Sequence, residues 1–527
     1  MESRKGGSAL KSLSRRKLPV LLAALPVSLA LTVAVHASLA AESSNGVWLA
    51  GDLHTHTFLT DGSHTQADVV GHAFDQFGLD FMANSEHGGA FARNPEGLTW
   101  DKVTPAPFIA GDPVKDKSGR PLMWRWQSLR DYSYPTLAAL QQRYPHKTLI
   151  QGLEWNMPTH DHASVGIISD VPVAISDFEY QFDAGDKDTS RAYQGLVKRN
   201  VTHADAVAAV TYLQQNYPGT SYVILNHPSR SLLYSAAAIR DLNNAAPSVC
   251  FGMEGFPGHQ KESNRGGYGA NLGENTYKAR TYGGADYMVA KVGGLWDSLL
   301  GEGRRFWIFV NSDFHSAAAD ADFYPGEYAK TYVYARDNSP QAIVDALRSG
   351  NSFSVQGDLI NALDFNVSAG SAKATMGGEL LVKKGSNVKV VIRFKSPEKN
   401  NNGDKPAVDH VDLIVGEVTG RINPGDPNYN SDTNPTTRVL ARFTSKDWTT
   451  DADGYNSIVY TLENVTKNLY LRLRGTNLGV NVPYETDADG NPLVDDLATQ
   501  HLGLDNAQEA WADLWFYSNP IFISVVD

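Results

Sequence analysis

From Val47 to Gln356, short apolar runs alternate with segments whose apolar residues recur at helical spacing. The runs are GVWLAGDLH, GLDFMANSEH, KTLIQGLEW, HASVGIIS, SYVILNH, VCFGMEGF and RRFWIFVNSDFH. Between them, TQADVVGHAFDQFG, HADAVAAVTYLQQNYP, SAAAIRDLNNA, GGLWDSLLGEGR and SPQAIVDALRSG predict helices. This alternation predicts a parallel α/β arrangement, most economically a closed or nearly closed TIM-like barrel over residues 46–357. One stretch, at about 91–135, breaks the rhythm. It is rich in Pro, Trp and Arg and is expected to form a lid or wall over one end of the barrel. Beyond Gly357 the pattern changes to short strands: ALDFNVSA, NVKVVIRFKS, HVDLIVGEV, RVLARFTS, SIVYTLEN, LYLRLRG and NPIFISVV. Asn, Asp, Gly and Pro separate them, which predicts an all-β, sandwich-like domain over 358–527. TDADGYN and TDADGNP lack the glycine and terminal glutamate at EF-hand spacing, so they read as acidic turns.

The length of 527 residues calls for more than one core. A formal net charge of -12 argues against a broad electrostatic grip on nucleic-acid backbone, while leaving room for a small anion in a local cationic site. The only cysteine, Cys250, sits in an apolar run, which excludes an intramolecular disulfide and a cysteine-based zinc site. Residues 1–41 read as a cleaved export signal: a basic start, the apolar stretch LPVLLAALPVSLALTVAVHASLA, and small residues near Ala40 and Ala41. Arg15-Arg16 within SRRKL resembles a twin-arginine signal, which places the mature protein in the periplasm or outside the cell. No later apolar run is long enough to span a bilayer.

Candidate chemistry lies where the apolar runs end. The stretch AGDLHTHTFLTDGSH packs three histidines and two aspartates behind the first run. His54 and His56, two apart on extended chain, point to the same side. Glu86-His87, Glu154, His227, and the pair Asp313 and His315 close four further runs. In a parallel barrel those positions gather at the C-terminal face, where active sites are built. Any one histidine is more often structural or exposed; the repeated placement makes accident a poor account of the set.

DLHTHTFLTDG, SEH, GLEW followed by HASVG, NHP and SDFH resemble, in order, the motifs of the polymerase-and-histidinol-phosphatase (PHP) superfamily of metallohydrolases. The resemblance covers about Gly46 to Gln356, and it is nearest the branch of large secreted phosphoesterase-like proteins and carbaryl-type carbamate hydrolases. It implies a distorted (β/α)7 barrel with two to three divalent transition metals at its C-terminal face. Carried over residue by residue, it implies that His54, His56, Glu154 and Asp313 hold one metal. Glu154 would bridge to a second held by His162 and His227, and Asp61, His87 and His315 would hold the third. Asp61 stands where some members have histidine. His160 and His162 both follow Glu154; His162 is preferred because it opens an apolar strand. His64 and Glu86 lie near the set without being required as ligands.

Imidazole and carboxylate ligands suit zinc, manganese or iron. Water shared between such metals loses a proton near neutral pH and attacks phosphorus or a carbonyl carbon, and a further metal neutralises developing charge. Arg230, three residues beyond His227, could grip a phosphate oxygen or form a surface ion pair. His259, in GFPGHQ, could protonate a leaving group or sit in a solvent-exposed loop. The expected function is hydrolysis of small phosphate mono- or diesters, with the same site acting on a carbamate, ester or amide as the alternative. Arg93, Arg120, Arg125 and Arg130 in the insertion favour an anionic substrate, and Trp100, Trp124, Trp126 and Trp155 would suit an aromatic one. A third reading, a metal-stabilised binding protein without catalysis, would be favoured by missing ligands, and none is missing.

Overall fold

The computed structural model describes residues 46–268, 277–318, 321–504 and 506–527; the export signal expected over residues 1–41 lies outside them. Among the described residues, seven strands of the large sheet precede residue 311: β1 (Val47–Asp52), β2 (Phe81–Asn84), β3 (Thr148–Asn156), β4 (His162–Ile167), β5 (Ser221–Leu225), β6 (Cys250–Phe256) and β7 (Trp307–Val310). They lie side by side in the order of the chain, β7-β6-β5-β4-β3-β2-β1. Five helices fall where the periodicity predicts, α1 (Gln66–Gly71), continued by a wider turn over His72–Gln76, α4 (His203–Asn216), α5 (Ala236–Ala245), α6 (Leu295–Gly301) and, after β7, α7 (Pro340–Ser349), while α2 (Tyr134–Arg143) and α3 (Val173–Phe182) are not among those it predicts. Their starts have local causes. Thr202 and Asp205 form a reciprocal capping box on α4, and the Ser235 and Ser339 hydroxyls accept from the third amides of α5 and α7. Pro340 occupies the first turn of α7, and Gly350, at φ 72°, ends it in the left-handed region.

The all-parallel expectation holds in part. β1-β2-β3 pair in parallel, as do β5-β6-β7. β4 is antiparallel to both of its neighbours, β3 and β5. The reason is the length of the link. Only residues 157–161 join β3 to β4, enough for a hairpin and far short of a parallel crossover. Because the chain turns straight back, Asn156 and His162 pair across the hairpin, and His162 is set beside the end of β3. The first and last strands of this series make one parallel bridge beyond their ends, between Thr55 and Phe314, where the His56 amide donates to the Phe314 carbonyl at 2.8 Å. Asp52, at the end of β1, accepts from the Ser312 amide at 2.9 Å.

The sheet continues past β1 into β8 (Ala329–Ala335) and β9 (Ser352–Gln356), both antiparallel. The strands after Gly357 divide between two sheets. Labelled in chain order they are β10 (Ala362–Ala369), β11 (Ala372–Thr375), β12 (Glu379–Lys383), β13 (Ser386–Lys395), β14 (His410–Glu417), β15 (Arg438–Thr444), β16 (Asn456–Val465), β17 (Leu469–Thr476), β18 (Trp515–Ser518) and β19 (Ile521–Val526). β18, β17, β14 and β15 extend the large sheet from β9, with β12 and β19 attached through β17, giving 15 strands in all. β11-β10-β13-β16, with Thr449–Thr450 at one edge, form a separate antiparallel sheet of five. Alternate residues of β13, Val388, Val390, Ile392 and Phe394, are fully buried while their neighbours are not, the period of a sheet with one face in a core. Among the described residues, no helix is long and apolar enough to cross a membrane.

Candidate metal centre

The nine ligand-type residues named from the sequence converge at one end of β1–β7. Glu154, near the end of β3, stands at the centre. Its Oε1 lies 3.0 Å from His54 Nε2, 3.1 Å from His162 Nδ1 and 3.2 Å from His227 Nε2. Its Oε2 lies 2.8 Å from His87 Nδ1 and 3.3 Å from His56 Nε2. Asp313 Oδ1 reaches the Nε2 atoms of His54 and His56 at 3.0 and 3.2 Å, completing a buried tetrad with Glu154. Asp61 meets His87 and His315 at 3.4 Å each, and these three form a second group with His56. His162 and His227 form a third group with Asp161, a ligand-type residue that no pattern in the sequence singles out.

The choice between His160 and His162 is resolved by direction. His160 Nε2 pairs with His203 Nδ1 at 2.8 Å and its Nδ1 faces the Leu233 carbonyl, away from Glu154. His64 is also outside, paired with Asp68 at 2.7 Å across one turn at the start of α1. Glu86 points back into the loop, bonded to Thr57, Thr60 and Asn84.

Strand ends alone do not fix these side chains; strained backbone and close approach contribute. His227, His259 and Asp313 have φ of 31°, 56° and 46°, a region non-glycine residues rarely occupy and which occurs disproportionately at functional sites. A Cβ on Gly258 would lie 2.2 Å from Asp313 Cβ and 2.2 Å from the Ser312 carbonyl, so only glycine lets this loop close over Asp313. Behind His54, the buried carboxylate of Glu254 accepts from His54 Nδ1 at 2.8 Å, from Asn311 Nδ2 at 3.0 Å and from the His227 amide at 2.8 Å. That contact turns His54 Nε2 toward the cluster. The cue for Glu254 was present, a carboxylate in the middle of the apolar run VCFGMEGF.

Burial opposes charge throughout the cluster, and mutual attraction outweighs it at Glu154, Asp313, His54 and His87. Glu154 is held well below the usual carboxylate range by His162, His54 and His87, and Asp313 by His54 and His259. Against burial, Asp313 and Glu154 hold His54 well above the usual imidazole range, and Glu154 and Asp61 push His87 up to about 10. His56 moves down, through burial and the neighbouring His315 and His87. In this state protons supply the positive charge that the carboxylates require.

Metal ions fit the same site, and the hydrogen bonding shows why. Glu154 Oε2, Asp313 Oδ1, His56 Nδ1, His162 Nδ1 and His227 Nδ1 are buried and, among the described residues, make no well-aligned hydrogen bond, although His87 Nδ1 stands 2.8 Å from Glu154 Oε2, His54 Nε2 3.0 Å from Asp313 Oδ1 and Glu154 Oε1 3.1 Å from His162 Nδ1. Each such atom costs about 1–3 kcal/mol when left without a partner. Orphans are rare in folded proteins, and several aimed into one cluster call for a group that accepts lone pairs. Nitrogen and oxygen donors without sulfur match zinc, manganese or iron.

At the rim, the Arg230 guanidinium is 3.6 Å from Asp161 and 3.8 Å from Asp313, too far for hydrogen bonds, with its side chain a quarter exposed. His259 is held between Asp313 (Nε2 to Oδ2, 3.0 Å) and Asp322 (Nδ1 to Oδ1, 2.6 Å), and against burial these carboxylates keep it well above the usual imidazole range. Asp322, like Asp161, carried no periodic cue.

The insertion corrects the substrate arguments drawn from its composition. Trp100, Trp124, Trp126 and Trp155 are all buried, at 4% exposure or less, so none offers a face to a ligand. Arg120 and Arg130 pair with the adjacent Asp116 and Asp131. Arg93 donates to the carbonyls of Thr60 and Gly62, on either side of Asp61. Arg125 is fully buried and donates to the His87 carbonyl at 2.8 Å and the Leu59 carbonyl at 2.5 Å. Arg93 and Arg125 thus brace the loops that carry Asp61 and His87, while Arg120 and Arg130 are engaged by carboxylates close in sequence.

No protein-family model matches the chain, and no curated protein matches it. Among solved structures the chain is similar to a protein of Bacteroides vulgatus ATCC 8482 described as a two-domain protein containing a predicted PHP-like metal-dependent phosphoesterase. The identity is 13%, the TM-score 0.35, and the match covers 85% of this chain and 94% of that one. Likeness at that level decides nothing about the chemistry of the site, which rests on the geometry of its own side chains.

Proposed function

We propose that this chain is an exported metal-dependent hydrolase of PHP type that cleaves small phosphate mono- or diesters. The observation that carries the reading is the convergence of nine histidine, aspartate and glutamate side chains, Glu154 and Asp313 at their centre, with several buried donor atoms that make no well-aligned hydrogen bond among the described residues. Divalent transition metals bound there would supply Lewis acidity to the ester oxygen and lower the pKa of coordinated water. The chain's own residues do the rest. Arg230 offers a planar pair of donors, free of hydrogen bonds to its neighbours, to the non-bridging oxygens of a phosphate. His259 holds a proton on Nε2, ready for the departing oxygen, while Asp322 fixes the ring through Nδ1. Glu254 keeps His54 in the tautomer whose Nε2 lone pair faces the cluster.

Arg230 is what favours phosphate over a neutral carbamate, now that the insertion's arginines and tryptophans are accounted for by internal contacts. The same reading takes the series β1–β7 as a distorted (β/α)7 barrel joined near residue 357 to a β-domain, supported by the Thr55–Phe314 bridge between the first and last strands. It takes residues 1–41 as a twin-arginine export signal. The test is a panel of generic phosphomonoester, phosphodiester and aryl-carbamate substrates, run with metal analysis. Phosphoester turnover that disappears on chelation and returns with zinc, manganese or iron is expected. Full activity in a metal-free sample, or turnover confined to the carbamate, would reject the reading.

A further inference from the structure

A second group of buried acids lies away from the metal centre, where the C-terminal segment meets the loop after β6. Glu485, Asp495, Glu509 and Asp513 are 7%, 3%, 1% and 1% exposed. Asp495 begins helix α8 (Asp495–Leu502), Glu509 lies in α9 (Asn506–Ala512), and Asp513 follows it. The cationic group acting on all four is the guanidinium of Arg265, itself fully buried. It bonds Asp513 Oδ2 at 2.6 Å and lies 3.5 Å from Asp495 Oδ1. The other donors among the described residues are the Gly284 amide on Asp495 Oδ2, the Thr281 side chain on Asp495 and the Trp515 indole on Asp513 Oδ1. Among the described residues, neither carboxylate oxygen of Glu509 has a hydrogen-bond partner.

Four carboxylates against one guanidinium leave an excess of negative charge in a low-dielectric interior, which proteins tolerate only when it is neutralised. We propose that Glu485, Asp495, Glu509 and Asp513 bind a calcium ion that fastens α8 and α9 to the Arg265 loop. The ligand chemistry selects the ion: carboxylate oxygens without imidazole or sulfur suit a hard cation, and calcium accepts the irregular, many-oxygen shells that magnesium resists. The two oxygens of Glu509, without a hydrogen-bond partner among the described residues, are the donors left to hold it. Burial, added to repulsion from their neighbours, pushes Glu485 up to about 9, Glu509 to about 7 and Asp495 to about 6 despite Arg265. The site is unlike the Asp487 turn beside it, where Oδ1 is already satisfied by the Asp489 and Asn491 amides.

The experiment uses the full mature protein loaded with its transition metal, titrated with calcium and, separately, magnesium, and read by equilibrium dialysis and thermal unfolding. One calcium ion per chain and a calcium-dependent rise in Tm on the order of a few °C are expected at saturating ion. Glu509→Gln and Glu485→Gln should each lose both effects, whereas Asp313→Ala, altered at the other cluster, should keep them. Absence of calcium binding in the wild-type protein overturns the proposal, as does binding that survives in both glutamine variants. A third overturning result is Glu509→Gln proving more stable than wild type at every calcium concentration, because the carboxyls would then be neutralised by protons alone.

Discussion

Glu254→Gln separates a ligand-orienting role from mere burial. The Glu254 carboxylate accepts three hydrogen bonds, from His54 Nδ1, Asn311 Nδ2 and the His227 amide. Glutamine keeps the shape but has only one oxygen. If its NH2 faces the His227 amide, two donors oppose each other and His227 loses its anchor. If the NH2 faces His54, the imidazole must accept at Nδ1, which moves its proton to Nε2, the atom facing Glu154 and Asp313 at 3.0 Å. Either way a metal-binding lone pair is misplaced or masked. Partners that orient a metal ligand in this way are typically worth about 10–100-fold in metal affinity, roughly 1.4–2.8 kcal/mol. The metal-free fold should weaken less, by about the 1–2 kcal/mol of one disturbed hydrogen bond. The assay is competition for zinc or manganese against a chromophoric chelator, with circular dichroism of the stripped protein as the control. Affinity within about twofold of wild type would show that Glu254 does not set the orientation of His54.

Asp313→Ala should abolish turnover and lower metal stoichiometry while the protein stays folded, whereas His64→Ala, touching only Asp68 and ring neighbours, should cost within about 0.5 kcal/mol and leave metal content unchanged. Equal loss of metal in both variants would refute the ligand set. Gly258→Ala should destabilise by about 1–3 kcal/mol and reduce metal occupancy, because the new Cβ meets Asp313 Cβ at 2.2 Å; unfolding and metal analysis read the two effects separately. At the C-terminal acid cluster the folded pKa values of about 6, 7 and 9 for Asp495, Glu509 and Glu485 lie above unfolded values near 4. The folded state therefore holds extra protons, and the stability they contribute is complete below about pH 4 and lost as pH rises through about 6 to 9. In calcium-free buffer, wild type should lose more stability between about pH 6 and 8 than Glu509→Gln in urea unfolding; parallel curves would remove the assignment. Arg15-Arg16→Lys-Lys should strand a folded precursor in the cytoplasm if the signal is twin-arginine in type, and undiminished export in cell fractionation would discard that route alone.

Much of the metal centre was legible because its ligands recur at one place relative to the apolar runs. His54, His56, Glu154, His227 and Asp313 could be found without knowing which strands pair. Asp161 and Asp322 could not: they lie in loops, and nothing local distinguishes an aspartate aimed at an imidazole from one in water. The direction of β4 was hidden for a different reason. Strands buried on both faces read as continuous apolar runs whether parallel or antiparallel. The informative signal was the five-residue link MPTHD between Asn156 and His162, too short for a crossover. The insertion misled because composition reports which side chains are present and not where they point. Arg125 and Arg93 end on backbone carbonyls, and the tryptophans fill interior space. That part of the C-terminal strands joins the large sheet also escaped, since β18 and β19 return to it from the far end of the chain.

The two acidic centres differ in the composition of their neutralising groups, and that difference carries a consequence for assembly. The Glu154–Asp313 centre surrounds its carboxylates with imidazoles, a donor set that favours zinc, manganese or iron over calcium. The Glu485–Glu509 cluster offers oxygen alone, a set that favours hard cations. If both sites bind as proposed, one chain would sort two classes of ion by ligand chemistry. If the protein folds before export, the imidazole centre fills from the cytosol, whose supply decides which transition metal enters. The proposed oxygen cluster would then fill after export and tighten α8 and α9 onto the Arg265 loop only there. The two loading steps would be separable in the cell: precursor held in the cytoplasm should carry the transition metal and lack the calcium-dependent rise in Tm until calcium is added. A cytoplasmic precursor already carrying calcium, or lacking transition metal, would show that composition alone does not order the loading.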